Sequence, residues 1–151
     1  LTHGEYTHVG IAWVHHSRPY VIDAYWKGGV RLRALSTNLP CDHIPLNLDW
    51  NSEIEDVTFS KLGNDYHYLG AAMVGFNIVP NYDAHVCSIF AAQIIRKGGI
   101  SIPEDIALTP QRLVNIMTKV KDISPRTISE LNGVYYEFNR VDELSESKRV
   151  S

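Results

Sequence analysis

A chain of 151 residues suits one domain with a real hydrophobic core. Its formal net charge of −3 and its lack of any Lys/Arg-rich run argue against a nucleic-acid binder. No apolar run is long enough to span a membrane.

The opening residues, Leu1 to Tyr6, read as the end of one element followed by a polar turn. Neither end shows a signal peptide or lipidation pattern. Leu1 stands where a start methionine is expected, which leaves room for an upstream segment. Thr7 to Val14 reads as a strand opened by His8. Val9, Ile11 and Trp13 alternate with Gly10, Ala12 and Val14, so both faces can be covered. His15 to Pro19 is a turn, and Tyr20 to Tyr25 is the returning strand. After the turn Trp26 to Gly29, Val30 to Leu35 alternates as a third strand. An antiparallel meander is expected.

Ser36 to Asn51 reads as a loop, broken at Pro40 and Pro45. Glu53 to Leu62 fits either a strand or a short helix. Tyr66 to Val79 suits a helix that enters the loop through Asn81, Asp83 and His85, residues that suit a turn, a helix cap or the wall of a cleft. Then Val86, Ile89, Phe90, Ile94 and Ile95 recur at helical spacing, with Cys87 in the first turn and Gly98-Gly99 as the stop. The small Ala91 and Ala92 allow close packing. A further helix starts at Pro110 with Thr109 as its cap, and its stripe is Leu113, Ile116, Met117 and Val120. Ser124 to Asn132 suits a short helix, and Gly133 to Val141 a last strand whose Tyr135, Tyr136 and Phe138 face either the core or a partner. Residues 143–151 form a polar tail, expected to be mobile. The whole chain is read as one α+β domain.

Three residues carry candidate chemistry. A thiol in a first helical turn sits near unpaired N–H groups and the positive end of the dipole, which favour thiolate. A lone buried cysteine is more often structural, so Cys87 alone decides little. Asp23 interrupts the apolar frame Tyr20 to Tyr25; a carboxylate there must be paired or face solvent from an edge strand. His8, on the neighbouring strand, is close enough to pair with it and fix its tautomer. If Cys87 docks against His8, the set is nucleophile, base and orienter. Cys41 and Cys87 could instead be joined by a disulfide, which would silence the thiol. The seven histidines show neither HExxH nor a zinc-type Cys/His spacing, so no metal and no cofactor is expected.

The segments THVGI around His8, YVIDAYWKGGVRLRALS and HVCSIFAAQIIRKGGI together resemble the circularly permuted branch of the NlpC/P60 papain-like superfamily. That branch takes in YiiX-like hydrolases, lecithin:retinol acyltransferase and its lipid-acting relatives, and a poxviral member. The resemblance covers roughly Leu1 to Ile100. It implies an antiparallel sheet packed against helices, a nucleophile at a helix N-terminus, and an upstream strand preceding Leu1. It matches Cys87 to the nucleophile, with its backbone N–H in the oxyanion hole, and His8 to the general base. Asp23 falls where the family places a third polar residue, often Glu or His; the shorter Asp needs a closer strand pair. Ser88 matches the small polar residue after the nucleophile. Tyr6 and Tyr66 are phenols that could supply a second oxyanion donor or simply pack.

The expected activity is cleavage of an amide, in a peptide or cell-wall peptide, through a thioacyl-enzyme. Two alternatives stand beside it. One is a lipid acyl hydrolase or acyltransferase; the other is an inactive structural module of a larger, viral-type assembly. The expected partner is a peptide or acyl substrate.

Overall fold

The computed structural model describes residues 5–48, 50–66, 68–79 and 86–130. Among these residues, two antiparallel sheets and four α-helices make an α+β fold. The first sheet is the expected meander, in the order β1 (Ile11–His15), β2 (Arg18–Tyr25), β3 (Gly29–Ala34). Thr7 to Gly10 run into β1 without strand pairing of their own. β2 is the central strand, which is why its Val21 to Ala24 are buried on both faces. The turn joining β1 to β2 holds His16 and Ser17 at φ of 47° and 60°.

β3 has company on its outer side. Val30 donates to the Asn64 carbonyl and accepts from Gly63 N–H, both at 2.9 Å. Gly29, at φ of 69°, makes this approach possible, since a Cβ there would lie 1.9 Å from the Asn64 oxygen.

Ser36 to Asn51 is more structured than expected. It holds a single 3₁₀ turn, Leu35–Asn38, and the strand β4, Cys41–His43. β4 pairs with β5 (Arg126–Ile128), which replaces the short helix expected over Ser124 to Asn132. The β-branched Thr127 and Ile128 suit a strand better than a helix, and pairing with β4 satisfies their backbone.

The ambiguous segment resolves as α1, Ser52–Phe59, capped by Asn51, whose side chain accepts from Ile54 N–H at 2.9 Å. α2 spans Tyr68–Gly75. α3 spans Cys87–Lys97 and is the centre of the molecule: every residue from Cys87 to Ile95 is buried. One side of it, Phe90 and Ile94, packs on Ile22, Ala24 and Val30 of the sheet and Ile54 of α1. Ala91, Ala92 and Ile95 pack on Leu113 and Met117 of α4 (Pro110–Lys121). Its start, Cys87 and Ile89, packs on Val74 of α2 and on Val9. Burial of each large apolar side chain in such a core contributes about 1.5–3 kcal/mol.

α4 begins as expected, with the Thr109 hydroxyl accepting from Arg112 N–H at 3.1 Å and Pro110 in the first turn. The last strand expected over Gly133 to Val141, the tail 143–151, and Asn81, Asp83 and His85 lie outside the described residues. No helix among the described residues is long and apolar enough to cross a membrane.

Candidate functional site

His8 precedes β1 by three residues, and Asp23 sits near the end of β2. They meet because Gly10 lies over Asp23. A Cβ on Gly10 would stand 3.2 Å from the Asp23 Cβ, 2.9 Å from Val21 Cγ2 and 3.0 Å from the Ile22 oxygen. The close strand pair that a short Asp requires is thus provided by a residue without a side chain. His8 Nε2 lies 2.8 Å from Asp23 Oδ2. The edge of the imidazole also rests against the Tyr25 ring, with centroids 5.7 Å apart.

The Asp23 side chain is fully buried, so it does not face solvent from an edge. Three cationic side chains converge on it. Besides His8, Arg31 Nε donates to Oδ1 at 2.9 Å and Arg33 Nη2 donates to Oδ2 at 3.1 Å. Arg31 stands directly opposite Asp23 in the β2–β3 register. Burial by itself would raise the Asp23 pKa. The hydrogen bonds from His8 and Arg31 more than offset it and bring the carboxyl down to about 2.

His8 shows the complementary shift. Burial pulls its pKa down, but hydrogen bonding to Asp23 and to Cys87 outweighs this and lifts the ring to about 9. Carboxylate and thiol thus both act on the same imidazole, the carboxylate through a direct bond at Nε2.

Cys87 opens α3. Val86 in the cap position is extended and gives no side-chain acceptor to the first-turn N–H groups. Ser88, next along, is buried and donates its hydroxyl to the Leu108 carbonyl, pinning the start of α3 to the segment that leads into α4. Cys87 is 5 % exposed, whereas the His8 side chain is 33 % exposed. His8, with Tyr25, Arg31 and Arg33, lines a groove of about 1570 Å³ that continues past Trp13 and Leu46; Cys87 is not on its wall.

The remaining candidates fall elsewhere. Tyr6 donates its hydroxyl to Asp42 Oδ2 at 2.5 Å, a bond that pushes the phenol up to about 12. Asp42 also accepts from Thr127 at 2.8 Å. The Glu5 and Tyr6 backbone N–H groups both donate to Gln111 Oε1, at 2.8 and 3.2 Å. Tyr6 thus anchors the segment that carries His8. Tyr66 packs against the core around Ile22 and Phe90. Cys41 and Cys87 are both free thiols, so the disulfide is not formed. Burial raises the Cys41 pKa, aided by the Asp42 charge, which marks it as an unactivated thiol. Among the described residues, no group of three or more His, Cys, Asp or Glu side chains is placed to hold a metal ion.

Arg31 and Arg33 are the site residues that sequence reasoning missed. The signal was present: counting outward from the turn after Tyr25 pairs Tyr25 with Gly29 and Asp23 with Arg31. No protein-family model, no curated protein and no solved structure matches this chain.

Proposed function

We propose that the protein is a cysteine hydrolase that cleaves an amide, in a peptide or cell-wall peptide, with Cys87 as nucleophile, His8 as proton carrier and Asp23 as the group that orients His8. In this reading the fold is a permuted papain-like one, in which the histidine strand precedes the cysteine helix. The observation that carries it is the His8 ring, hydrogen-bonded by the buried Asp23 carboxylate at 2.8 Å and near enough to the first-turn thiol of α3 for that thiol to raise its pKa.

The chemistry follows from that geometry. A ring with a pKa near 9 is protonated at neutral pH, and an imidazolium beside a thiol is the partner a thiolate needs. The thiolate attacks the scissile carbonyl carbon, and the Cys87 backbone N–H donates to the oxygen that gains charge. His8 gives its proton to the leaving amine as the C–N bond breaks, leaving a thioester. The neutral ring then takes a proton from water, whose oxygen attacks the thioester. The acid leaves, and the ion pair is restored.

The test is site-resolved alkylation with iodoacetamide near pH 7. Cys87 is expected to react faster than Cys41, and His8→Ala is expected to slow Cys87 alone. Equal rates at the two thiols, or a Cys87 rate indifferent to His8→Ala, would remove the thiol from the chemistry. The near-complete burial of Cys87 favours a second reading, an inactive module of an assembly. A thiol that stays unmodified in the folded protein and reacts only on unfolding would select it.

A further inference from the structure

We infer that Arg31 and Arg33 form an anion subsite beside His8, suited to seat a carboxylate of the substrate. The word substrate rests on the hydrolase reading; the binding of a carboxylate does not.

Charge is the first argument. Among the described residues, Asp23 is the one carboxylate paired with these guanidiniums, and it is shared with His8. One anion thus faces two permanent cations and an imidazole held in its charged form. Availability is the second. Arg31 and Arg33 are 24 % and 27 % exposed, and both line the groove with His8. Arg33 Nε is buried without a hydrogen-bond partner.

Pre-organisation is the third argument. Arg31 lies over the Tyr25 ring, 3.7 Å from its centroid. Arg33 is held by a 2.6 Å bond to Asn38 Oδ1. Neither guanidinium has to be ordered when a ligand arrives, and with Nη2 of Arg33 already holding Asp23 and Asn38, its Nη1 is the charged donor left for a carboxylate. Position is the fourth. Arg33 Nη2 and His8 Nε2 both donate to Asp23 Oδ2, so guanidinium and imidazole stand one hydrogen-bond shell apart. Of the acidic side chains that line the groove, Asp42 is already engaged by Tyr6 and Thr127.

The probe is N-acetyl-alanyl-alanine with a free carboxylate, compared with the same dipeptide as its C-terminal amide. Titrations follow the arginine Nε–H resonances by NMR, in the Cys87→Ser variant so that no turnover intervenes. The acid is expected to shift the Arg33 resonance saturably and to bind at least about tenfold more tightly than the amide, in keeping with a charge-assisted pair. Arg33→Gln should erase the difference. Should that variant not fold, Arg33→Lys keeps the charge, loses the planar group that Asp23 and Asn38 hold in place, and should weaken the acid about tenfold. Equal binding of acid and amide, or acid binding that ignores both substitutions, would overturn the subsite. Inorganic phosphate shifting the same resonance at lower concentration would overturn the carboxylate assignment. Because Cys87→Ser is used throughout, a failed hydrolase reading leaves this result standing, and the converse also holds.

Discussion

His8 and Asp23 meet at 2.8 Å, and the carboxylate at that contact is more heavily bonded than the imidazole it orients. Asp23 therefore acts as a structural centre as well as a partner for His8. Removing its charge would leave Arg31 and Arg33 facing one another over a buried amide. Asp23→Asn is expected to lower unfolding stability by about 3–5 kcal/mol, the usual cost of breaking a buried charge cluster from one side. Denaturant titration measures it; a loss below about 1 kcal/mol would show that the arginines find other partners.

The same cluster sets a pH window. The His8 pKa is raised in the folded state, to about 9, so its contribution is fully present below the unfolded value of 6.5 and is lost as pH rises through about 9. The Asp23 pKa is lowered to about 2, so its contribution is fully present above the unfolded value of 3.8 and is lost as pH falls towards 2. Stability from this pair should thus hold between about pH 4 and 6.5 and decline on either side. In His8→Ala the alkaline decline should flatten while the acid limb persists, because Arg31 and Arg33 still hold Asp23. Thermal melts across pH on both proteins check the two limbs separately.

Gly10 lets the segment carrying His8 come close to Asp23. Its hypothetical Cβ meets a backbone oxygen and a buried valine methyl, neither of which yields cheaply. Gly10→Ala should cost about 1–3 kcal/mol through overpacking. It should also move His8 away from Asp23, lowering the ring's pKa from about 9 towards the ordinary value. An NMR titration of the His8 ring distinguishes this from plain destabilisation. A variant that is less stable but keeps the raised pKa would show that the strand shifts as a unit.

Much of this arrangement is legible in the sequence. α3 and α4 announce themselves through local signals: apolar spacing, the Thr109-Pro110 start, and the Gly98-Gly99 stop. Asp23 stood out because a carboxylate in Tyr20 to Tyr25 demands a partner. β4 and β5 were illegible for the opposite reason. Each is three residues long, and neither carries a pattern of its own. They exist because Cys41 pairs with Ile128 across most of the chain. The segment before His8 is held by equally remote partners, Gln111 and Asp42, which no local window shows. The two arginines lay between these cases. Their alternation with Val30 and Leu32 is a strand pattern, and only the register counted across the hairpin turns that pattern into a charge cluster.

The turn at the far end of β1 offers a stabilising prediction that leaves the site alone. His16 and Ser17 both adopt left-handed backbone, at φ of 47° and 60°, joining His15 to its partner Arg18. Two-residue hairpin turns of this hand favour Asn followed by Gly, because a side chain at positive φ costs about 1–2 kcal/mol, least for Asn and nothing for Gly. The present pair meets that cost at both positions, offset in part by the edge contact of the His15 and His16 rings, whose centroids are 4.2 Å apart. Replacing the pair through His16→Asn and Ser17→Gly should raise stability by about 1–2 kcal/mol despite losing the ring contact. The Cys87 alkylation rate should not change, since the turn lies at the opposite end of β1 and β2 from His8 and Asp23. Denaturant midpoints and the alkylation rate are read on the same sample. A slower rate at Cys87 in the more stable variant would mean that strain in this turn is transmitted along β1 to the imidazole.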